Sequence, residues 1–372
     1  MRKILLCGLV GLGVYSSFNC GQNKQMTSEF ERKLLNVTTN CASETECEKI
    51  KKDILSNFED NKDVEIISKK QLSDLSGKYY DLYEFKDSGY AIYVSNSTKL
   101  LEISLSSESP FKNQNKNLAY FGAGNYYKKT IDSEGTAKLF NLRNKEEIDY
   151  TSSVERSINS YMRETKLYSN MDTYSSGSGD KTETASVDNP EVFKNANTGG
   201  FNTDGNCGYV SGALLIYYAR MSWGWDWVYD KDYITNDLVK ELQGDRANDS
   251  IAPNLEDALN DYLNAKGSKL KAKVNMWHIP ASHTFYDRVE ENKPVSMFCS
   301  MPENFCSSDG DVKMGHVPMV YKVKRNYSVG WFGIRTYSNY MYTIHMGWSM
   351  NDNEVVISDD VVTKGGLVNL HK

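Results

Sequence analysis

Asp204-Gly205-Asn206-Cys207-Gly208-Tyr209 runs without a break into Val210-Ser211-Gly212-Ala213-Leu214-Leu215-Ile216-Tyr217-Tyr218, and this stretch restricts the fold more than any other. Small, flexible residues bracket one cysteine. Val210, Ala213, Leu214, Tyr217, Tyr218 and Met221 then recur at i, i+3, i+4, i+7 spacing, which predicts a helix with one buried face. Cys207 would stand in its first turn, where the partial positive charge of a helix N-terminus most favours a thiolate. A cysteine held there is a candidate nucleophile. The alternative is a small, buried apolar residue of a core helix.

The other cysteines bear on that choice. Residues 1–20 read as a targeting segment: Arg2 and Lys3 precede an apolar run from Ile4 to Val14 that is too short to span a bilayer. Ser17-Phe18-Asn19-Cys20 closes it, with Asn19 where glycine or alanine is usual. The segment resembles a bacterial lipoprotein signal, which implies lipidation of Cys20 and a membrane attachment through that lipid. Without lipidation the same segment implies cleavage and secretion, so the chain is expected to be exported. Of seven cysteines, Cys7 leaves with the signal and Cys20 takes the lipid. Cys41 with Cys47, and Cys299 with Cys306, are close enough in sequence to close short loops in an oxidising compartment. Cys207 is left over, which favours a functional thiol.

At 372 residues the chain is long enough for two domains, and 40% hydrophobic residues supply their cores. The net charge of -6 and the lack of a basic block argue against nucleic acid as a partner. Residues 21–168 read as a small α+β domain, with polar helices up to about 65, strands at 79–85, 90–94 and 100–105, and a helix over 149–168. Residues 169–198, with Tyr174-Ser175-Ser176-Gly177-Ser178-Gly179-Asp180, hold little that could enter a core and read as a flexible linker open to proteolysis. The second domain, 199–372, is expected to place the Cys207 helix against an antiparallel sheet with strands at 293–299, 317–324, 340–346 and 354–358. Trp223, Trp225 and Trp227 could line a cleft, although packing is the commoner use of such a cluster.

A cysteine nucleophile needs a base, because a thiol of pKa ~8.5 is mostly protonated at neutral pH. The chain has five histidines. His371 reads as tail, and His278 and His283 as loop residues. His316 follows Gly315 and opens a strand whose Pro318 belongs at an edge or a strand start. A hairpin over 317–344 turning near 328–331 would set His316 opposite His345, with a bulge or bend, for instance at Gly333. No histidine or cysteine spacing matches a metal site, and no phosphate-binding or dinucleotide fingerprint occurs outside the targeting segment, so neither metal nor cofactor is expected.

Gly205-Asn206-Cys207-Gly208-Tyr209-Val210-Ser211-Gly212-Ala213 resembles the cysteine-helix motif of papain-like peptidases, closest to the streptopain-like and bacteriocin-leader-peptidase-like members. Lys293-Pro294-Val295 with Gly315-His316 resembles their histidine block, and Tyr342-Thr343-Ile344-His345-Met346-Gly347-Trp348 the strand that ends in their third catalytic residue and its tryptophan. The likeness covers about 199–358, and Asp81 to Phe111 is more faintly similar to a streptopain-like propeptide. It implies a papain-like α+β catalytic domain behind a pro- or inhibitory domain, a zymogen, and a protein or peptide substrate. Cys207 matches the nucleophile and His316 the base. At the third position, where the family has asparagine or aspartate, the chain offers His345 or Met346; the Met346 side chain cannot orient an imidazole, which leaves His345. Asn351 and Asn353 remain if their loop folds back. The family's oxyanion glutamine falls on Phe201; Asn202 is the nearest amide, beside the Cys207 backbone N–H. Asp204 would raise the thiol pKa unless it caps the helix. Two other functions fit the same blocks: a papain-fold acyltransferase, or a surface-binding lipoprotein whose catalytic site has decayed.

Overall fold

The computed structural model describes residues 43–59, 64–75, 77–143, 145, 147–164, 181–201, 206–246, 252–277, 282–304, 313–348, 352–361 and 365–371. Cys20, Cys41, Asn202, Asp204, Cys306 and Asn351 lie outside them, and with them fall the lipidation, the amide oxyanion donor and both disulfide pairings. The chain divides into two contact units, Met1–Ser68 and Lys69–Lys372.

In the first unit, helix α1 (Glu44–Asn57) starts at Ser43, whose side chain accepts from the Glu46 N–H at 3.2 Å, a typical N-cap. Cys47, Ile50 and Ile54 are buried at helical spacing. Strand β1 (Ile66–Ser73) runs across the unit boundary.

The second unit opens with β2 (Tyr79–Phe85), β3 (Tyr90–Val94) and β4 (Leu100–Ser104), an antiparallel set in which alternating tyrosines and aliphatics supply the pairing surface. Then come β5 (Leu118–Tyr120), β6 (Tyr126–Ile131), β7 (Ala137–Asn141), β8 (Glu147–Asp149) and helix α2 (Ser152–Glu164). Strand β9 (Lys181–Ser186) and the single turn α3 (Glu191–Lys194) lead into α4 (Cys207–Trp223), α5 (Asn236–Gln243) and α6 (Ala252–Ala265). The chain continues through β10 (Lys271–Trp277), α7 (Ser282–Glu290), β11 (Val295–Asn304), β12 (Lys313–His316), β13 (Met319–Val329), β14 (Arg335–His345), β15 (Val355–Ser358) and β16 (Gly365–His371).

The strands make one large open sheet in a mixed α/β architecture, in the order β10-β16-β11-β13-β14-β15-β4-β3-β2-β1-β5-β6-β7-β8, with β12 on β11 and β9 on β13. The early strands therefore continue the later ones: Ile103 pairs with Val356, and Glu102 with Ile357. That seam is buried and polar. Lys99 Nζ lies 3.1 Å from Asp360, both nearly inaccessible, and the Ser104 hydroxyl donates to the Glu354 carbonyl. The Glu102 carboxylate, fully buried, accepts hydroxyls from Tyr90, Tyr120 (3.0 Å) and Tyr126 (2.5 Å), the donors a buried charge needs. Burial still pushes its pKa up against those bonds.

Three sequence expectations change. Helix α4 is buried on every side from Cys207 to Ala219, not on one stripe, and Met221 is exposed. It threads the core: α5 and α6 flank it, a Cβ on Gly212 would sit 2.8 Å from Leu255, and Ser211 Oγ donates to Ser296 of β11 at 2.9 Å. Residues 181–198, expected within the linker, are built into the fold. The polar Lys181–Ser186 run pairs with β13 from Tyr327 to Lys322, and Phe193 stacks between Tyr218 (5.0 Å) and Tyr321 (5.1 Å). His371, expected in a tail, ends β16, which pairs with β10 through Lys271 and buries Val368 and Leu370. The tryptophans extend the Phe193 stack outward: Trp223 meets Tyr218 edge-on, Trp225 packs on Trp223 at 4.7 Å, and Trp227 ends half-exposed.

Because Phe193 is fully buried between two rings, Phe193→Ala is expected to lower unfolding free energy by about 3–5 kcal/mol. Urea denaturation checks this; a loss below about 1 kcal/mol would contradict the stacked packing.

Candidate active site

Cys207 is the first residue of α4 and is 3% exposed. The preceding Asn206 makes no side-chain capping bond, and its Oδ1 is buried with no hydrogen-bond partner among the described residues. The positive end of a seventeen-residue helix thus carries no carboxylate in its first turn to offset it.

His316 ends β12, where it faces Cys299 of β11 across the ladder. Its placement differs from the expected hairpin. The β13–β14 turn is longer, with Gly330 donating to the Ile334 carbonyl around a 3-10 turn at Trp331–Gly333, so Met319, not His316, lies opposite His345. Irregular register falls between Val320 and Lys322 and between Lys324 and Asn326 rather than at Gly333. Pro318, which has no N–H, separates β12 from β13, and its carbonyl accepts from Met297.

The turn Met346-Gly347-Trp348 joins the two sides. The His316 imidazole Nε2 lies 2.7 Å from the Met346 carbonyl oxygen. A carbonyl only accepts, so Nε2 carries the hydrogen, and in the neutral ring Nδ1 is the basic nitrogen. The ring packs on Trp348 with centroids 4.0 Å apart and planes tilted by 34°. Gly347, at φ +78°, brings the turn onto the start of α4: a Cβ there would stand 3.2 Å from Val210 Cγ1, three residues beyond Cys207. Left-handed backbone and close approach both favour glycine.

His345 does not orient His316. Its Nδ1 accepts from the Gly347 N–H at 3.0 Å and its Nε2 lies 3.2 Å from the Ala196 carbonyl, so both nitrogens are committed to holding the turn. The Met346 backbone makes the orienting contact that its side chain could not. Asn353 also serves the frame: its amide donates to the carbonyls of Lys194 and Ala196, each at 2.9 Å. His283, on α7, is exposed.

Sequence reasoning missed Arg143. Its guanidinium carbon sits 3.5 Å over the Trp348 ring, delivered by a turn after β7 in which the Arg143 N–H donates to Asn141 Oδ1. Gly124 approaches the same indole so closely that a Cβ would lie 2.5 Å from it. No periodicity links these residues to Trp348. A cleft of about 150 Å³ remains, lined by Tyr90, Glu108, Tyr126, Arg143, Trp348 and Asp352 among others, well below the ~300–1,000 Å³ of ordinary ligand pockets. Among the described residues no cluster could hold a metal ion.

Burial, then the Arg143 charge, hold the His316 pKa well below its usual 6.5, against the pull of the Met346 bond. Burial takes His345 to about 4, against its bond to Ala196. Both rings are thus neutral in the fold near pH 7.

No family model matches the chain, and no curated protein matches it. Among solved structures it is similar to a prointerpain A fragment from Prevotella intermedia, a cysteine-to-alanine variant, at 9% identity and a TM-score of 0.32, covering 81% of this chain and 98% of that one.

Both histidines have folded pKa values below their unfolded ones, so their contribution is complete above pH 6.5 and is lost as pH falls toward about 4. In that window His345 alone should take about 1.4 kcal/mol per pH unit from the unfolding free energy. Urea denaturation at stepped pH reads this slope, and His345→Gln should flatten it; an unchanged slope would contradict the neutral, buried ring.

Proposed function

We propose that the chain is an exported papain-like cysteine peptidase, lipid-anchored at Cys20, with residues 21–168 as a pro- or inhibitory segment and Cys207 and His316 as its catalytic pair. The observation that carries this reading is the His316 Nε2–H bond to the Met346 carbonyl, which leaves Nδ1 as the basic nitrogen, while the next residue of that turn, Gly347, packs against the helix that starts at Cys207. The Cys207 sulfur attacks the peptide carbonyl and His316 passes the proton to the leaving amine. Water, with its proton taken by His316, then releases the acyl group. The Cys207 backbone N–H, at the helix N-terminus, is one oxyanion donor. The small cleft, walled by Tyr90, Glu108, Tyr126 and Arg143, favours a zymogen activated by cleavage between α2 and β9.

After limited proteolysis, a thiol-directed peptidyl inhibitor is expected to modify Cys207 stoichiometrically at neutral pH. His316→Ala should slow both labelling and peptide hydrolysis, the latter by ~10²–10⁴. Equal, slow labelling of both proteins would sink the peptidase and favour a decayed, surface-binding lipoprotein. Acyl transfer to an added amine at the expense of hydrolysis would favour the acyltransferase. A Cys207→Ala chain cut as fast as the wild type would rule out self-cleavage.

A further inference from the structure

We propose that Arg143 is a positioning residue for His316, acting through Trp348 to fix the imidazole and setting a permanent positive charge near it while residues 69–143 cover the site. This rests on the peptidase reading only for its consequence in catalysis; the arrangement itself is geometric.

Two groups cannot both lie within about 4 Å of one ring centroid on the same face without colliding, so Trp348 is sandwiched between the Arg143 guanidinium and the His316 ring. A guanidinium over the face of an indole is a favourable cation–π contact, strengthened where water is excluded. It ties the indole, and through it the imidazole, to a turn of the N-terminal segment. Gly124 closes on the edge of the same ring, so the contact has a fitted wall on two sides.

The sandwich also brings a permanent positive charge near a buried base. A guanidinium cannot shed its proton to relieve the conflict, so its charge favours the neutral imidazole. Among the described residues, the ionisable groups on elements around His316 include Cys207 at the start of α4, His345 at the end of β14, and Glu108, Asp352, Tyr90 and Tyr126 on the cleft wall, with Cys299 as the register partner of His316 on β11. His345 is neutral near pH 7, and the two carboxylates would favour an imidazolium. Arg143 opposes them, its charge lowering the His316 pKa after the larger effect of burial. A papain-type site works through a thiolate–imidazolium pair, so a cation held here by the segment weakens the base, and removing the segment removes the cation.

The test uses the full-length chain carrying Cys207→Ala, so that no thiol titrates with the ring. Histidine ring carbons are labelled and the His316 resonance, assigned with His316→Gln, is followed against pH by NMR. Arg143→Gln is expected to move the His316 midpoint up by about one pH unit, while Arg143→Lys, which keeps the charge, leaves it near the wild-type position. An unmoved midpoint in Arg143→Gln, or equal movement in the Gln and Lys variants, would overturn the proposal; equal movement would make the contact one of packing alone. With Cys207 restored, Arg143→Gln should speed alkylation of that thiol at neutral pH several-fold, and an unchanged rate would also overturn it. The two readings fail separately. A shifted midpoint in a protein that no peptidyl inhibitor labels would retire the peptidase and leave the Arg143 role standing; labelling without any shift would do the reverse.

Discussion

The bond from His316 Nε2 to the Met346 carbonyl is the contact on which the site depends. It fixes the tautomer, since the acceptor is a backbone oxygen that cannot donate. It also couples β12 to the turn after β14. In isolation such a bond stabilises by about 1 kcal/mol net. Its larger effect is geometric, because the same three-residue turn seats Gly347 against Val210 and Trp348 against the imidazole. Replace the turn and the base, its stacking partner and the approach to the cysteine helix move together.

Several buried polar groups near that turn and in the early strands have partners. His345 spends both nitrogens on backbone groups, Asn353 holds two carbonyls, Glu102 takes three tyrosine hydroxyls, and Lys99 meets Asp360. Each would cost several kcal/mol if buried alone. At the β4–β15 seam, the Lys99–Asp360 pair and the Ser104 bond to the Glu354 carbonyl add to the ladder. The early strands are therefore joined to the later ones by ladder bonds and by a buried ion pair.

Much of the fold was legible locally. The strands at 79–85, 90–94 and 100–104 and the α4 start at Cys207 follow from alternation and helical spacing. The polar strand β9 was not legible, because Lys181–Ser186 has no apolar pattern and is ordered only by the β13 strand beside it. Nor was the β13–β14 register, since a longer turn shifts every pairing while leaving the strand pattern unchanged. At the site, Cys207 and His316 stand out by residue type and flanking glycines. The orienting group could not, because a backbone carbonyl has no residue identity to read.

By itself the sequence determined the chemistry available: one cysteine at the head of a core helix, a histidine opening a strand, and a glycine–tryptophan turn after another strand. The tertiary structure decided how those groups meet. It gave the orienting role to the Met346 backbone, turned His345 into a brace, and brought Arg143 onto Trp348. The reason is physical. Local propensity sees neighbours within a few residues, whereas tautomer, burial and charge at His316 are set by segments that only the folded sheet brings together.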